Sequence, residues 1–142
     1  MQFFDVLVRY EGALWSAVEH ELVRRGQIGL GQLHALRILE RHHGLARVQD
    51  VSDDVGITVG AASKLVDRLE RDGLASRGPN PADRRSSLIA LTAVGEQSLR
   101  SGMVVFEAAL AQALGPEDVG VVTAGLQRLH HRLIDAGVGA AA

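Results

Sequence analysis

Basic side chains with a spacing suited to anion binding are concentrated between residues 58 and 87 of this 142-residue chain. Lys64 and Arg68 are four residues apart, and side chains with that spacing lie on the same face of a helix. Arg84 and Arg85 form a second group. Because arginine stays protonated in proteins and presents several donors, such groups suit phosphate binding rather than acid–base chemistry. The pattern predicts a surface that binds a polyanion.

A short helix is predicted to position the first basic group. Thr58 suits the N-cap because its hydroxyl can accept from a free amide of the first turn, and Gly73 suits the C-terminal end. Between them one apolar stripe recurs with helical spacing, at Ala62, Leu65, Val66 and Leu69. The opposite side carries small and charged residues: Gly60, Ala61, Lys64, Asp67, Arg68 and Arg71. Such a helix can bury one face while its backbone approaches a surface closely on the other.

A two-stranded hairpin is predicted to follow the helix. Leu74–Arg77 and Ser87–Leu91 read as strands, and Gly78-Pro79-Asn80-Pro81 interrupts regular structure between them. Asp83-Arg84-Arg85 then lies at the hairpin tip. A helix fits the major groove of DNA, and arginines at a hairpin tip suit a narrow minor groove. The two elements together predict binding to double-stranded DNA.

The segment from Gly56 to Thr92 resembles the winged helix-turn-helix of the MarR family of bacterial transcription regulators. The matching residues are Ser63, Leu65–Glu70, Asp72–Leu74, Arg77, Pro81, Asp83–Arg85, Leu91-Thr92 and Gly95. The resemblance implies a homodimer on double-stranded DNA, with a small aromatic or anionic effector held between the dimerisation helices and the DNA-binding lobe. The family's acidic-x-Arg signature falls on Asp83 and Arg85, which implies that Asp83 orients Arg85.

Residue pattern and resemblance together give two sets of candidate site residues. The residues expected to contact DNA are Thr58, Gly60, Ala61, Ser63, Lys64, Arg68, Arg77, Arg84 and Arg85. Tyr10 and Trp15 on the first helix, with His34 and Arg37 on the second, are expected to line the effector pocket. Ordinary packing is the alternative role for these four side chains.

Helices are predicted on both sides of the DNA-binding segment, over Phe3–Arg24, Gly31–His43, Val48–Val55, Ala93–Leu114 and Pro116–Ala136. The first is apolar on two sides, which is typical of a helix buried on two sides. The last carries a coiled-coil-like seam at Val119, Val122, Leu126, Leu129 and Leu133. A chain this short offers these faces no further helix of its own, so they predict a homodimer.

We therefore expect a mainly α fold with a small β-hairpin, in which a winged helix-turn-helix is joined to a helical dimerisation platform (α+β). The chain is expected to form one domain over residues 1–142. Dimerisation helices would occupy about 1–30 and 93–142, and the winged helix-turn-helix lobe would occupy about 31–92.

Composition narrows the functional classes. The net charge is −2, yet residues 58–87 hold six cations and four anions, so they carry +6 − 4 = +2 and the remainder carries −4. The absence of cysteine excludes disulfides and thiolate metal sites. No apolar run approaches the roughly 20 residues of a membrane helix, and the N-terminus does not resemble a secretion signal. We expect a cytoplasmic protein.

Neither catalysis nor a cofactor is expected. No Ser/His/Asp set, phosphate loop or carboxylate pair at a helical spacing stands out in the sequence as a catalytic site. The adjacent pairs His42-His43 and His130-His131 chelate poorly, because neighbours on a helix point about 100° apart. The expected function is a sequence-specific, ligand-responsive repressor on a pseudo-palindromic operator. Two alternatives stay open: a protein-interaction module of the same fold without DNA binding, and a metal-sensing regulator.

Overall fold

The computed structural model describes residues 2–137. Along that range the elements are α1 (Gln2–Arg24), α2 (Leu30–Arg41), α3 (Val48–Val55), α4 (Val59–Arg71), β1 (Ala75–Pro79), β2 (Ser87–Leu91), α5 (Ala93–Leu114) and α6 (Gly120–Asp135). The predicted fold class, mainly α with a small β-hairpin, is confirmed. Met1 and residues 138–142, which the sequence assigned to the dimerisation helices, lie outside the described residues.

The core is built around α2. This helix packs against α1, α3, α4, α5 and β2. Its buried residues occur on more than one side of the helix, at Leu30, Leu33, Ala35, Leu36, Ile38 and Leu39. Because a helix buried on several sides cannot shift without repacking its neighbours, α2 acts as the fixed scaffold for the elements that could meet a ligand.

The turn between α3 and α4 is fixed by local chemistry. Gly56 ends α3 with φ 76°, a left-handed conformation that glycine adopts without steric strain. The Ser52 hydroxyl then donates to the Ile57 carbonyl at 2.7 Å, which holds the chain at the turn. Thr58 caps α4 by accepting from the Ala61 amide at 3.2 Å, as predicted. These contacts set the direction in which α4 leaves the turn.

The hairpin β1–β2 is antiparallel and pairs Ala75 with Leu91 and Pro79 with Ser87. Its middle is anchored where Ile89, which is fully buried, donates its amide to the Ala46 carbonyl at 2.7 Å. The first strand reaches Pro79, two residues beyond the predicted end at Arg77. Proline is tolerated there because it closes the outer end of a two-stranded ribbon.

The start of α5 is held against the end of α4. Thr92 accepts from the Gly95 amide at 3.0 Å and donates its hydroxyl to the Gly73 carbonyl at 2.6 Å. Its own amide donates to the Leu74 carbonyl at 3.1 Å. A Cβ at Gly95 would lie 1.9 Å from that carbonyl oxygen. Close packing therefore requires glycine at this position, where a capping box would have placed Glu or Gln.

Two predicted helix boundaries need correction. The second helix ends at Arg41 rather than His43, because His43 itself is left-handed (φ 51°) and cannot continue the helix. The last helix begins at Gly120 rather than Pro116. There the Asp118 carboxylate accepts the Gly120 amide at 2.9 Å, forming an Asx turn that delays the helix.

Apolar surface is left uncovered on α1 and α6. Within residues 2–137 of the single chain, α6 has no buried residue. Val122, Leu126 and Leu129 of the predicted seam are 59%, 39% and 45% exposed. On the N-terminal part of α1, Phe3, Phe4 and Val6 are also exposed. No helix among the described residues is long and apolar enough to cross a membrane.

Candidate nucleic-acid interface

Helix α4 is seated by the apolar stripe that its sequence predicts. Ala62, Val66 and Leu69 are fully buried, and Leu65 packs against the core at its edge. The helix is therefore fixed in rotation about its own axis. Its outer face must carry the residues between those positions, and that face is open to a partner.

The outer face of α4 combines small residues with two cations. Gly60, Ala61, Lys64 and Arg68 are exposed, and Ser63 is half-buried. A Cβ built at Gly60 would meet nothing within 4 Å, so glycine is not required there by the fold. The small residues let the backbone of the first turn approach a surface closely, and the positive end of the helix dipole favours an anion at the same place.

The tip of the hairpin, residues 80–86, is shaped by two side chains. Asn80 accepts the Ala82 amide at 3.1 Å and donates to the Ser86 hydroxyl at 2.9 Å. Asp83 accepts the Arg85 amide at 2.9 Å. The Asp83 carboxylate thus holds the backbone of Arg85 and makes no described contact with its guanidinium; the orienting role stays a prediction. The guanidinium is left to point into solvent, because the whole of 81–85 is exposed.

Arg77 has a different environment from the other residues predicted to contact DNA. Its guanidinium bonds the Glu70 carboxylate through Nη1 and lies 2.8 Å from Asp67 Oδ1 through Nη2. Its backbone amide also donates to Glu70 Oε1 at 3.0 Å. The side chain is 26% exposed. Arg77 is therefore engaged by the acidic residues of α4 and does not present a free cation.

Ion pairing separates the basic side chains of residues 30–91 into two groups. Arg41, Arg47, Arg71 and Arg77 each lie within 4 Å of a carboxylate oxygen. In the part of the chain that the structure describes, Lys64, Arg68, Arg84 and Arg85 have no such partner, and all are exposed. Arg37 of α2 also lacks such a partner among the described residues, and its guanidinium lies against the Phe106 ring. The other four unpaired cations lie on α4 and at the hairpin tip, as a polyanion-binding surface requires.

Electrostatics also stabilise the start of α3. Arg47 donates its backbone amide to Asp50 Oδ2 at 2.8 Å and its guanidinium to both oxygens of the same carboxylate. These side-chain hydrogen bonds hold the pKa of Asp50 below its usual value. Asp50 lies in the first turn of α3, where negative charge suits the helix dipole. The pair is structural and was not predicted from the sequence.

A cavity of about 210 Å³ lies between α1, α2 and α5. It is lined mainly by apolar side chains: Leu14, Trp15, Val18, Leu30, Leu33, Phe106 and Leu110, with Glu11, His34 and Arg37 as the polar members. The guanidinium carbon of Arg37 lies 5.5 Å from the centroid of the Phe106 ring, within the range of a cation–π contact. The cavity can accept a flat apolar group beside a cation.

The predicted pocket residues are brought together except for Tyr10. Glu11, Leu14, Trp15 and Val18 form one stripe of α1, and Tyr10 lies about 90° from the centre of that stripe. Tyr10 is therefore absent from the lining. Sequence reasoning missed Glu11 and also Phe106 on α5, because no periodicity shows which face of a distant helix closes a cavity.

Histidine chemistry at the cavity and elsewhere is limited. Burial, followed by repulsion from Arg37 and Arg41, holds the pKa of His34 below its usual value, so the ring is neutral at neutral pH. His42 Nε2 lies 2.9 Å from Asp54 Oδ2. No group of three or more His, Asp or Glu residues close enough to hold a metal ion exists within residues 2–137.

A helix-turn-helix followed at once by a hairpin with a basic tip defines a winged helix-turn-helix protein. The MarR family model matches residues 28–87, which contain the whole of α2 to β1, the hairpin tip and the first residue of β2. Over this segment the chain is similar to the MarR family of transcriptional regulators, and its fold is the winged helix-turn-helix of that family.

Individual relatives agree with this assignment. YfiV of Bacillus subtilis (strain 168), an uncharacterized HTH-type transcriptional regulator, is 29% identical over 113 residues, covering 77% of this chain and 69% of that protein. CouR from Rhodococcus jostii RHA1, solved bound to p-coumaroyl-CoA, is 27% identical with a TM-score of 0.76, covering 87% of this chain and 86% of its own. A mutant MarR from E. coli complexed with operator DNA shares the fold, with 18% identity and a TM-score of 0.80, covering 91% of this chain and 94% of its own.

Proposed function

We propose that the protein is a ligand-responsive repressor that binds a pseudo-palindromic operator as a homodimer. One observation carries the proposal. The exposed, unpaired cations of the winged helix-turn-helix, Lys64, Arg68, Arg84 and Arg85, lie on α4 and at the hairpin tip. In this arrangement α4 enters the major groove and the hairpin, here called the wing, reaches the neighbouring minor groove. The operator complex of the mutant MarR from E. coli has the same fold and supports this arrangement.

The homodimer is supported by the uncovered apolar surface of α1 and α6. Exposed leucine, valine and phenylalanine side chains on these two helices have an unfavourable hydration free energy. Covering them with a second copy of the chain would therefore favour association. We propose that residues 1–30 and 93–142 form the dimerisation platform and that residues 31–92 form the DNA-binding lobe. Two lobes related by a two-fold axis would then read two half-sites about one helical turn apart.

Ligand response is supported by the cavity between α1, α2 and α5. Two of its walls, α1 and α5, belong to the proposed platform, and the third, α2, belongs to the DNA-binding lobe. The far end of α5 is hydrogen-bonded through Thr92 to the residues that follow α4. A ligand that moved α5 would therefore also move α4, which is the proposed recognition helix of the winged helix-turn-helix. CouR is bound to p-coumaroyl-CoA, and we propose an aromatic or anionic ligand here, with Arg37 as its cationic partner.

The rival functions have weaker support. The net charge of −2 favours a protein-interaction module without DNA binding, but local charge decides nucleic-acid binding. The cations on α4 and at the hairpin tip have no carboxylate partner among the described residues and are available to a polyanion. We propose binding rather than catalysis, and the cytoplasm as the compartment because the partner is bacterial DNA.

In vitro selection tests the proposal directly. Purified protein is incubated with a library of random duplexes at a fixed salt concentration, and bound duplexes are amplified and sequenced over several rounds. The expected result is an inverted repeat whose half-sites lie about 10 bp apart, centre to centre. A pool that stays random while a control regulator enriches its own operator would contradict the proposal.

A further inference from the structure

We propose that Arg77 is a positioning residue for DNA binding: by joining β1 to Asp67 and Glu70 of α4, it sets the angle between the wing and the recognition helix. The inference rests on the proposed function. Sequence and resemblance grouped Arg77 with the residues that contact DNA. Its surroundings assign it a different role in the same process.

The geometry of Arg77 is that of a two-point clamp. Glu70 receives both the amide and the guanidinium of Arg77, and Asp67 receives the other end of the guanidinium at 2.8 Å. Asp67 and Glu70 are three residues apart and so lie on one face of α4. The planar, rigid fork of an arginine fixes an orientation as well as a distance when two carboxylates hold it.

The clamp lies at the position that controls the direction of the wing. Arg77 is opposite Ile89 in the ladder, and Ile89 is fully buried. Beyond this pair, the hydrogen bonds described for residues 80–86 connect only residues within the tip. A small rotation at Arg77 is therefore carried to Arg85 without a hydrogen bond from residues 80–86 to the rest of the described chain to oppose it.

Charge compensation supports the same assignment. Asp67 is exposed on α4 between Lys64 and Arg68, the two cations proposed to face DNA, and its side chain is 61% exposed. An unpaired carboxylate there would repel phosphate. Arg77 offsets that charge, and its two terminal nitrogens are already engaged by Asp67 and Glu70.

The experiment compares Arg77→Ala, Arg77→Lys and Glu70→Gln, each alone and combined with Arg85→Ala. The probes are the duplexes selected with the wild-type protein, synthesised with A·T-rich or G·C-rich flanks beside the half-sites. Dissociation constants are measured at several salt concentrations, and thermal unfolding of each variant is recorded. Glu70→Gln removes one charge from the clamp without changing the size of the side chain, which is 33% exposed. This variant therefore replaces Arg77→Ala in the test if Arg77→Ala fails to fold.

Arg77→Ala should reduce the preference for A·T-rich flanks about tenfold, because Arg85 is no longer aimed at the minor groove. In the Arg85→Ala background it should add less than about twofold, since the two substitutions remove the same contribution. The salt slope should fall no further than it does in Arg85→Ala, and the double variant should have the slope of Arg85→Ala alone. Arg77→Lys should restore part of the flank preference, and Glu70→Gln should lower it in the same direction.

Three results would overturn the inference. A salt slope lower by about one unit, additive with Arg85→Ala, would make Arg77 a direct phosphate contact. Equal losses on both flanks, in step with a lower melting temperature, would make it a structural residue only. Unchanged affinity in every variant would give it no role. If the wild-type protein selects no duplex at all, the proposed function itself fails, and the inference fails with it.

Discussion

The carboxylate of Asp83 accepts the backbone amide of Arg85 at 2.9 Å, two residues further along the wing. This bond fixes the main chain of the tip, while both side chains stay exposed. Because the backbone at Arg85 is already fixed, Arg85 would lose less conformational entropy when its guanidinium enters a groove. If the tip binds DNA as proposed, Asp83 favours binding through this backbone contact although its own charge repels phosphate.

Gly60 should show opposite effects on stability and on DNA binding. Alanine fits there without a clash, because nothing lies within 4 Å of the added Cβ. Gly60→Ala should raise the free energy of unfolding by about 0.5–1 kcal/mol, since glycine is a poor residue inside a helix. DNA affinity should fall, because the methyl group stands where the helix backbone approaches the groove. Urea unfolding and DNA titration measure the two effects.

Gly95→Ala is the matched control for that substitution. Its Cβ would lie 1.9 Å from the Leu74 carbonyl oxygen. The free energy of unfolding should therefore fall, by about 1–3 kcal/mol. A Gly60→Ala variant with unchanged DNA affinity would mean that α4 does not approach DNA through its first turn.

Dimerisation should depend on the seam of α6. Leu126→Glu with Leu129→Glu should give monomers at micromolar concentration, because burying two unpaired carboxylates costs several kcal/mol, about 3–5 per broken site. Gln127→Glu is the control, since it adds a charge about 130° away from the seam. Sedimentation equilibrium measures the masses. A wild-type protein that sediments as a monomer would refute the homodimer.

The cavity should report ligand binding through Trp15, the single tryptophan of the chain. Aromatic carboxylic acids should change its fluorescence, and Phe106→Ala should weaken that response by removing one wall. Tyr10→Phe should leave the response unchanged, because Tyr10 does not line the cavity. Constant Trp15 fluorescence across a broad panel of aromatic acids would argue against an effector site here.

Lys64 and Arg68 should differ in the kind of contact they make. Lys64→Ala should weaken all duplexes alike and lower the salt slope by about one unit, as the loss of a phosphate contact does. Arg68→Ala should reduce the discrimination between bases at one position of the operator by about 1–3 kcal/mol of binding free energy, as the loss of a bidentate guanine contact does. Titrations against single-base operator variants at several salt concentrations separate the two patterns. Identical profiles for both variants would refute the assignment.

Short-range patterns predicted most of the fold. The caps at Thr58 and Thr92, the apolar stripe of α4 and the strand Ser87–Leu91 all depend on neighbours within a few residues, and all are confirmed. The predicted start of α6 was wrong because the Asp118 side chain accepts the Gly120 amide. The preference of proline and acidic residues for a helix N-terminus does not reveal that contact.

Contacts between distant segments could not be predicted. The bonds from Arg77 to Asp67 and Glu70 depend on the relative placement of a helix and a strand. Residue pattern and resemblance therefore grouped Arg77 with the cations expected to contact DNA. The closure of the cavity by Phe106 required knowledge of how α5 lies on α2. The DNA-contacting set itself stays a prediction.

The most direct test of the account is a titration of the selected operator with wild-type protein, Arg85→Ala and Asp83→Ala. Duplexes with A·T-rich and G·C-rich flanks are compared at several salt concentrations. Arg85→Ala should weaken binding and lower the salt slope, with the larger loss on A·T-rich flanks, where the narrow minor groove attracts arginine most strongly. Asp83→Ala should cause a smaller loss with the same flank dependence. Wild-type affinity and salt slope in Arg85→Ala would show that the wing does not touch DNA and would contradict the account.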